Sequence, residues 1–236
     1  MYICELFEEI NKLKEEVYKL TIELEQAILE GRTEYKIAYI TFDDGPYYKT
    51  DEFLKILEEN NVRATFFTIG ADKDKCYDNS KASCKETYYK EFIKGHTMGN
   101  HTYSHGIFTG LYSSADSFIN QVKKQEDKTG YKTNIVRFPG GAASAGSRKS
   151  SMVEKLRENN YGYVDWTASC GDGGSLDSKN QAWNNFLNTI GSDIEVILFH
   201  DYSRYTLEML PDVIKYLQEH NYVMLPLFYE SKMINK

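Results

Sequence analysis

The chain has 236 residues, 41% of them apolar, enough to build the core of one large domain. Its formal net charge of −7 argues against a nucleic-acid partner, and it contains no apolar run long enough to cross a bilayer. The N-terminus lacks a basic region followed by an apolar one, so no secretory signal is legible, and a membrane anchor is expected only upstream of Met1.

Residues 1–31 differ in pattern from the rest. Ile3, Ile10, Val17 and Leu24 recur at heptad spacing, with Leu6, Leu13, Leu20 and Ala27 interleaved, flanked by Glu9, Glu16, Glu23 and Glu30 and stopped by Gly31. β-branched residues at most first positions and Leu at most second ones favour a parallel two-stranded coil. Two readings stay open: a stalk or parallel homodimer through residues 3–27, and a single amphipathic helix lying on its own domain. Residues 32–236 form the main domain.

From Lys36 onward, strand-like runs alternate with helical patterns. KIAYITF precedes the helical DEFLKILEEN, and VRATFFTIG leads into a polar stretch, ADKDKCYDNSKASCKE. A disulfide between Cys76 and Cys84 would close that stretch in an oxidising compartment; four cysteines alone do not settle the pairing. Next come the helical KETYYKEFIKG, the strand HTMGNHT and a helix near SSADSFINQVKKQEDKTG. NIVRFPGG precedes SSMVEKLRENN, and YGYVDWTAS precedes a helix near NQAWNNFLNTI. EVILFHD leads into TLEMLPDVIKYLQEH, where Pro211 sits in the first turn or kinks the helix, and NYVMLPL closes the series. This alternation predicts a parallel α/β fold. A barrel is favoured because polar punctuation follows each strand, and barrel chemistry collects at the C-terminal strand ends.

Three groups of residues carry chemistry. The segment ITFDDGP places Asp43 and Asp44 side by side at the end of an apolar run, where two carboxylates repel unless cations flank them. His101 and His105 in NHTYSH have a spacing that puts both rings on one side of a helical turn, able to share a metal. With a carboxylate added, the set suits catalytic zinc or non-haem iron. His200 ends the apolar run VILFHD, and its intrinsic pKa suits proton donation near neutrality.

TFDDGP, HTYSH, RFPGG and LFHD, in that order between Lys36 and Leu227, resemble the polysaccharide deacetylases of carbohydrate esterase family 4, the NodB-homology domain. The resemblance implies a distorted (β/α)7 TIM-like barrel, here preceded by the N-terminal helix. It also implies removal of acetyl groups from sugars with one divalent metal, zinc first, cobalt or nickel as alternatives. Carried over by position, Asp43 is the general base, Asp44, His101 and His105 bind metal, and Arg137 holds Asp43 ionised. His200 is the general acid, Leu198 lines the acetyl pocket, and the Gly140 N–H faces the oxyanion.

The group that orients His200 is less clear. Asp165-Trp166 copies the family's Asp-Trp pair but lies inside a strand-like run; Asp172 in SCGDGG is favoured, which leaves Gly173 where a tryptophan is usual. Gly140-Gly141 stands where many relatives carry tyrosine. Cys170 reads as a small buried residue. The expected substrate is an acetylated polysaccharide, peptidoglycan N-acetylglucosamine first, then chitin oligomers, then acetylated xylan, with an extracellular or cell-surface location. The rival readings are a metal-loaded sugar-binding domain without turnover and an iron oxygenase.

Overall fold

A computed structural model describes residues 2–71, 90 and 94–236, the side chains of residues 2–7 and 10 excepted. The Cys76–Cys84 pairing and most of the helix expected at KETYYKEFIKG lie outside the described residues. Among the described residues, six α-helices and eight strands follow one another: α1 (Tyr2–Leu29), β1 (Lys36–Asp43), α2 (Thr50–Glu59), β2 (Thr65–Thr68), β3 (Thr97–Asn100), α3 (Ala115–Thr129), β4 (Ile135–Val136), α4 (Lys149–Glu158), β5 (Gly162–Tyr163), β6 (Ala168–Ser169), α5 (Lys179–Thr189), β7 (Ile194–His200), α6 (Arg204–Glu219) and β8 (Tyr222–Met224).

All strand pairs in the sheet are parallel, in the order β5-β4-β3-β2-β1-β7-β6, with β8 beside β1. β7 covers one edge of β1 along its whole length, from Ile37 opposite Ile194 to Asp43 opposite His200. The other edge is divided: β8 pairs with Lys36–Ala38 and β2 with Thr41–Asp43. The result is a sheet curled into a distorted barrel, the architecture expected from the alternating pattern.

The period of two along each strand sorts side chains by face. Ala38, Ile40 and Phe42 of β1 and Ile197 and Phe199 of β7 pack outward under α2, α5 and α6, with Phe53, Phe186 and Leu210. Ile37, Tyr39, Phe67, Ile135, Val164 and Val196 fill the barrel interior. A further cluster, built on Val136 and Phe138, packs under α3 and α4. The interior face of β1 therefore carries Thr41 and Asp43 toward its C-terminal end, and that of β7 carries Leu198 and His200.

The run YGYVDWTAS, expected as one strand, is two short ones at opposite ends of the sheet order. Val164 N–H still bonds to Val136 O (3.1 Å) and Thr167 N–H to Val196 O (2.9 Å), so Asp165 and Trp166 bridge the gap in the barrel wall. Their alternation looks like a strand because they cross a strand-width gap, but neither joins a ladder. Pro211 lies in the interior of α6, beyond its first turn.

Helix α1 lies against the domain through Val17, Leu24 and Ile28, with Thr21 and Glu25 fully buried on the same side. Tyr39 Oη donates to Glu25 Oε1 (2.7 Å), and Lys232 N–H donates to both Glu25 oxygens (3.0 and 3.1 Å). The heptad seam is thus split: Val17 and Leu24 face the barrel, whereas Leu13 and Leu20 are exposed. A parallel coil using both rows would have to displace this contact.

Candidate metal and acid–base site

Four strands end at one mouth. Asp43 ends β1, opposite His200 at the end of β7; His101 follows β3, and Arg137 follows β4. Consecutive residues on a strand point to opposite faces, yet both carboxylates of the Asp43-Asp44 pair belong to the site. The backbone resolves this: Asp44 adopts a left-handed φ of 72°, which turns its side chain out of the strand alternation.

Arg137 is fully buried. Its Nη1 donates to Asp43 Oδ1 (2.9 Å) and Thr41 Oγ1 (2.6 Å), and Nε donates to Val164 O (3.1 Å). Nη2 reaches Asp165 O (3.4 Å), and the guanidinium lies 4.1 Å from the centre of the Phe67 ring. Burial lowers its pKa and the Asp43 charge opposes that fall, so the guanidinium stays a cation beside Asp43. It also satisfies the carbonyls freed where the sheet opens between β5 and β6.

The two histidines do not share a helical turn. They stand in a loop after β3 in which Thr102 (φ 66°) and His105 (φ 50°) are both left-handed. Asn100 shapes it: its Oδ1 accepts from Thr102 N–H (2.8 Å), while its Nδ2 donates to Val122 O (2.9 Å). The imidazole centres end 5.0 Å apart. Spacing pointed to the pair, but a turn rather than a helix joins it.

Asp44 Oδ1 lies 3.5 Å from His101 Nε2 and 3.3 Å from His105 Nε2, and ligand atoms of the three residues all lie within 4.8 Å of one another. Donor atoms around one ion with bonds of about 2.1 Å stand about 3–3.5 Å apart, and both Asp44–histidine separations are of that size. The tautomer agrees. His101 Nδ1 lies 2.9 Å from Arg137 O, which can only accept, so the proton is on Nδ1 and the Nε2 lone pair faces Asp44. One carboxylate and two imidazoles set at these distances fit a divalent cation.

His200 is held on the opposite flank. Its Nδ1–H donates to Asp172 Oδ1 (2.8 Å), and its backbone N–H donates to Asp172 Oδ2 (2.9 Å), which also accepts the Thr206 hydroxyl. Its Nε2 is left facing the site, 4.0 Å from Asp44 Oδ2. Burial works to lower the His200 pKa, but the Asp172 hydrogen bond and charge, aided by Asp43 and Asp44, raise it to about 9. Of the two aspartates weighed from the sequence, Asp172 touches His200. Asp165 instead accepts from Ala142 N–H (2.9 Å) and braces the loop after RFPGG.

That loop carries Gly140 at φ 70°, and a Cβ there would also meet Ser144 Oγ at 2.9 Å. Gly141 N–H is taken by Phe138 O (2.8 Å), whereas the Gly140 N–H has no protein acceptor among the described residues. Leu198 is buried on the same strand face as His200. Gly173 approaches His200 so closely that a Cβ would fall 2.8 Å from Cε1, leaving no space for any side chain in that backbone position. An aromatic row stands beside His200: Tyr202 at 5.1 Å between ring centres, Tyr47 6.0 Å from Tyr202, and the exposed Tyr48 4.5 Å from Tyr47.

Sequence reasoning missed Asn100, Thr206, Tyr202 and Asp201. Asp201 is fully buried, accepts the Thr50 hydroxyl, and burial pushes its carboxyl up to about 7. The pattern LFHD displayed this residue, but nothing local distinguishes a buried aspartate from a turn aspartate. Thr41, which accepts from Arg137, was not named either, although the two-residue period that puts it on the Asp43 face was a signal for it. Cys170 is buried and its thiol is pushed up to about 12 by burial, in line with an inert packing residue.

Residues 30–163 match the family described as polysaccharide deacetylase. Over 203 residues the chain is 30% identical to a peptidoglycan-N-acetylglucosamine deacetylase of Bacillus cereus, covering 80% of this chain and 68% of that one. A chitin deacetylase of Colletotrichum lindemuthianum is 30% identical over 186 residues, 75% of this chain and 72% of its own. The crystal structure of the catalytic domain of peptidoglycan N-acetylglucosamine deacetylase from Eubacterium rectale superposes with a TM-score of 0.74 at 28% identity, over 85% of this chain and 92% of that one.

Proposed function

The chain belongs to the polysaccharide deacetylase family, a family of hydrolases, and from that premise we propose that it hydrolyses the acetamide of N-acetylglucosamine units in peptidoglycan. One observation carries this reading. A proton acceptor held by Arg137 and a proton donor held by Asp172 flank a single Asp-His-His donor set. A sugar-binding domain without turnover has no need of either flank.

A divalent ion held by Asp44, His101 and His105, zinc first by the chemistry of one carboxylate and two imidazoles, would supply Lewis-acid chemistry for activating water and polarising the acetyl carbonyl. Asp43 takes the proton of the attacking water, aimed by the Arg137 guanidinium that pairs with it. The Gly140 N–H donates to the oxygen on which negative charge develops. His200 Nε2–H gives its proton to the departing sugar nitrogen while Asp172 stabilises the imidazolium and fixes its tautomer. Acetate and a free amine leave. The tyrosine row from Tyr202 to Tyr48 offers the flat apolar faces on which sugar rings stack.

Peptidoglycan is placed first because the Bacillus cereus and Eubacterium rectale relatives carry that name; the Colletotrichum relative keeps chitin oligomers as the second reading. A cell-surface location belongs to the same proposal. The test measures bound metal and acetate release together, on an N-acetylglucosamine oligomer and on acetylated xylan. Asp43→Asn should keep its metal and lose about two to four orders of magnitude in turnover. Near-wild-type release by that variant would remove Asp43 from its role, and faster release from xylan would move the substrate from amide to ester.

A further inference from the structure

Asp201 follows the proton donor His200 directly, yet the acid–base chemistry makes no use of it. It is fully buried, and its carboxyl lies under the turn that leaves β1, the strand paired with β7. A Cβ at Gly45 would fall 2.5 Å from Asp201 Oδ2 and 2.9 Å from Oδ1, so the backbone of the turn rests on the carboxyl itself. Oδ2 accepts the Thr50 hydroxyl, and Oδ1 has no donor among the described residues.

Thr50, which opens α2, is also fully buried. Its one hydroxyl proton goes to Asp201, which leaves the lone pairs of the oxygen for Tyr47 N–H (2.7 Å). Tyr47 O in turn accepts Thr50 N–H (3.0 Å), so the far end of the turn is clamped. At its near end Gly45 O accepts Ile69 N–H (3.0 Å). Asp44, next to Gly45, has a φ of 72°, a conformation that a residue other than glycine keeps only where its surroundings over-determine it. Two of the three holds run through Asp201: the floor under Gly45 and, by way of Thr50, the clamp on Tyr47.

A carboxyl buried this deeply is a costly space filler, and what it supplies at this place is an acceptor for the Thr50 hydroxyl. We propose that Asp201 is a positioning residue for the metal carboxylate: it holds the turn from Asp44 to Thr50 so that Asp44 meets His101 and His105 at ligand distance. This rests on the reading of Asp44, His101 and His105 as the ligands of a divalent ion. Because Asp201 shares a peptide bond with His200, one residue ties the proton donor to the metal carboxylate, whose Oδ2 lies 4.0 Å from His200 Nε2. The role needs an acceptor of this shape and not a charge, so asparagine can fill it and alanine cannot. In the same way serine can stand in for Thr50 and valine cannot.

The zinc affinity of the full chain, measured by competition with a chromophoric chelator after metal is stripped, tests this without recourse to activity. Asp201→Ala and Thr50→Val should each weaken zinc by about 10–100-fold, the loss typical of removing a group that orients a ligand. Asp201→Asn and Thr50→Ser should stay within about threefold of the wild-type value. The double variant Asp201→Ala/Thr50→Val should bind no more weakly than Asp201→Ala, because Thr50 acts through Asp201. Glu25→Ala, which removes a buried acid on α1, controls for lost stability and should leave zinc affinity unchanged. Wild-type affinity in Asp201→Ala, or in Thr50→Val should Asp201→Ala not fold, would overturn the proposal. So would a loss in Glu25→Ala or in Asp201→Asn as large as that in Asp201→Ala. A wild-type chain that takes up no zinc would overturn the metal reading and this proposal together, an outcome distinct from the others.

Discussion

Replacing Asp172 with asparagine removes the charge that sets the protonation of His200. With Asp172 present, the imidazole titrates at about 9, against an ordinary value of 6.5. Burial acts in the opposite direction and only the Asp43 and Asp44 charges would still raise it, so once the Asp172 charge is gone the imidazole should titrate back near that ordinary value. A group with a pKa of about 9 is about nine-tenths protonated at pH 8, and one at 6.5 about 3% protonated, so the acid form falls by about 30-fold. Acetate release by Asp172→Asn at pH 8 should fall by at least that factor, and part of the loss should return at pH 6. The sign is that of a raised histidine: the acid form, and the stability that comes with it, is complete below 6.5 and is lost as pH rises through about 9. Asparagine also sets an NH2 against donors that Asp172 now accepts, from His200 N–H or Thr206, so amplitude alone would mix charge with geometry. The alkaline limb of the pH profile of kcat/KM isolates the charge. A limb that stays near 9 in Asp172→Asn would show that Asp172 does not hold the proton on His200.

Other perturbations follow from the same contacts. Arg137→Met leaves Asp43 buried without its cation and should cost about 3–5 kcal/mol in urea denaturation; a loss under about 1 kcal/mol would mean that the pair is not a desolvated one. Tyr202→Ala removes the ring beside His200 and should raise KM for the sugar oligomer more than it lowers kcat; an unchanged KM would take the ring out of the substrate path. Glu25→Ala strips the acceptor from Tyr39 Oη and Lys232 N–H and should lower stability by about 1–3 kcal/mol, with acetate release per folded molecule unchanged; reduced release would tie α1 to the active end of the barrel.

What the sequence determined on its own is local in origin. Helix and strand periods and the polar punctuation after each apolar run depend on near neighbours, so the alternation, the barrel and the groups placed at strand ends could be read along the chain. Thr41 and Asp43, like Leu198 and His200, share a face because a strand repeats every second residue. The structure decided whatever depends on pairing across the barrel. Asp165 and Asp172 are equally acidic in sequence; strand order sends the first to the gap between β5 and β6 and the second beneath His200. The loop from His101 to His105 turns through left-handed residues supported by Asn100, a geometry that spacing does not encode. The heptad in α1 named the apolar positions but not the side that docks, because Thr21 and Glu25 are polar and become buried only through partners elsewhere in the fold, for Glu25 the Tyr39 hydroxyl and the Lys232 amide. Distance along the chain carries no information about such partners; folding supplies it by bringing the strand ends together.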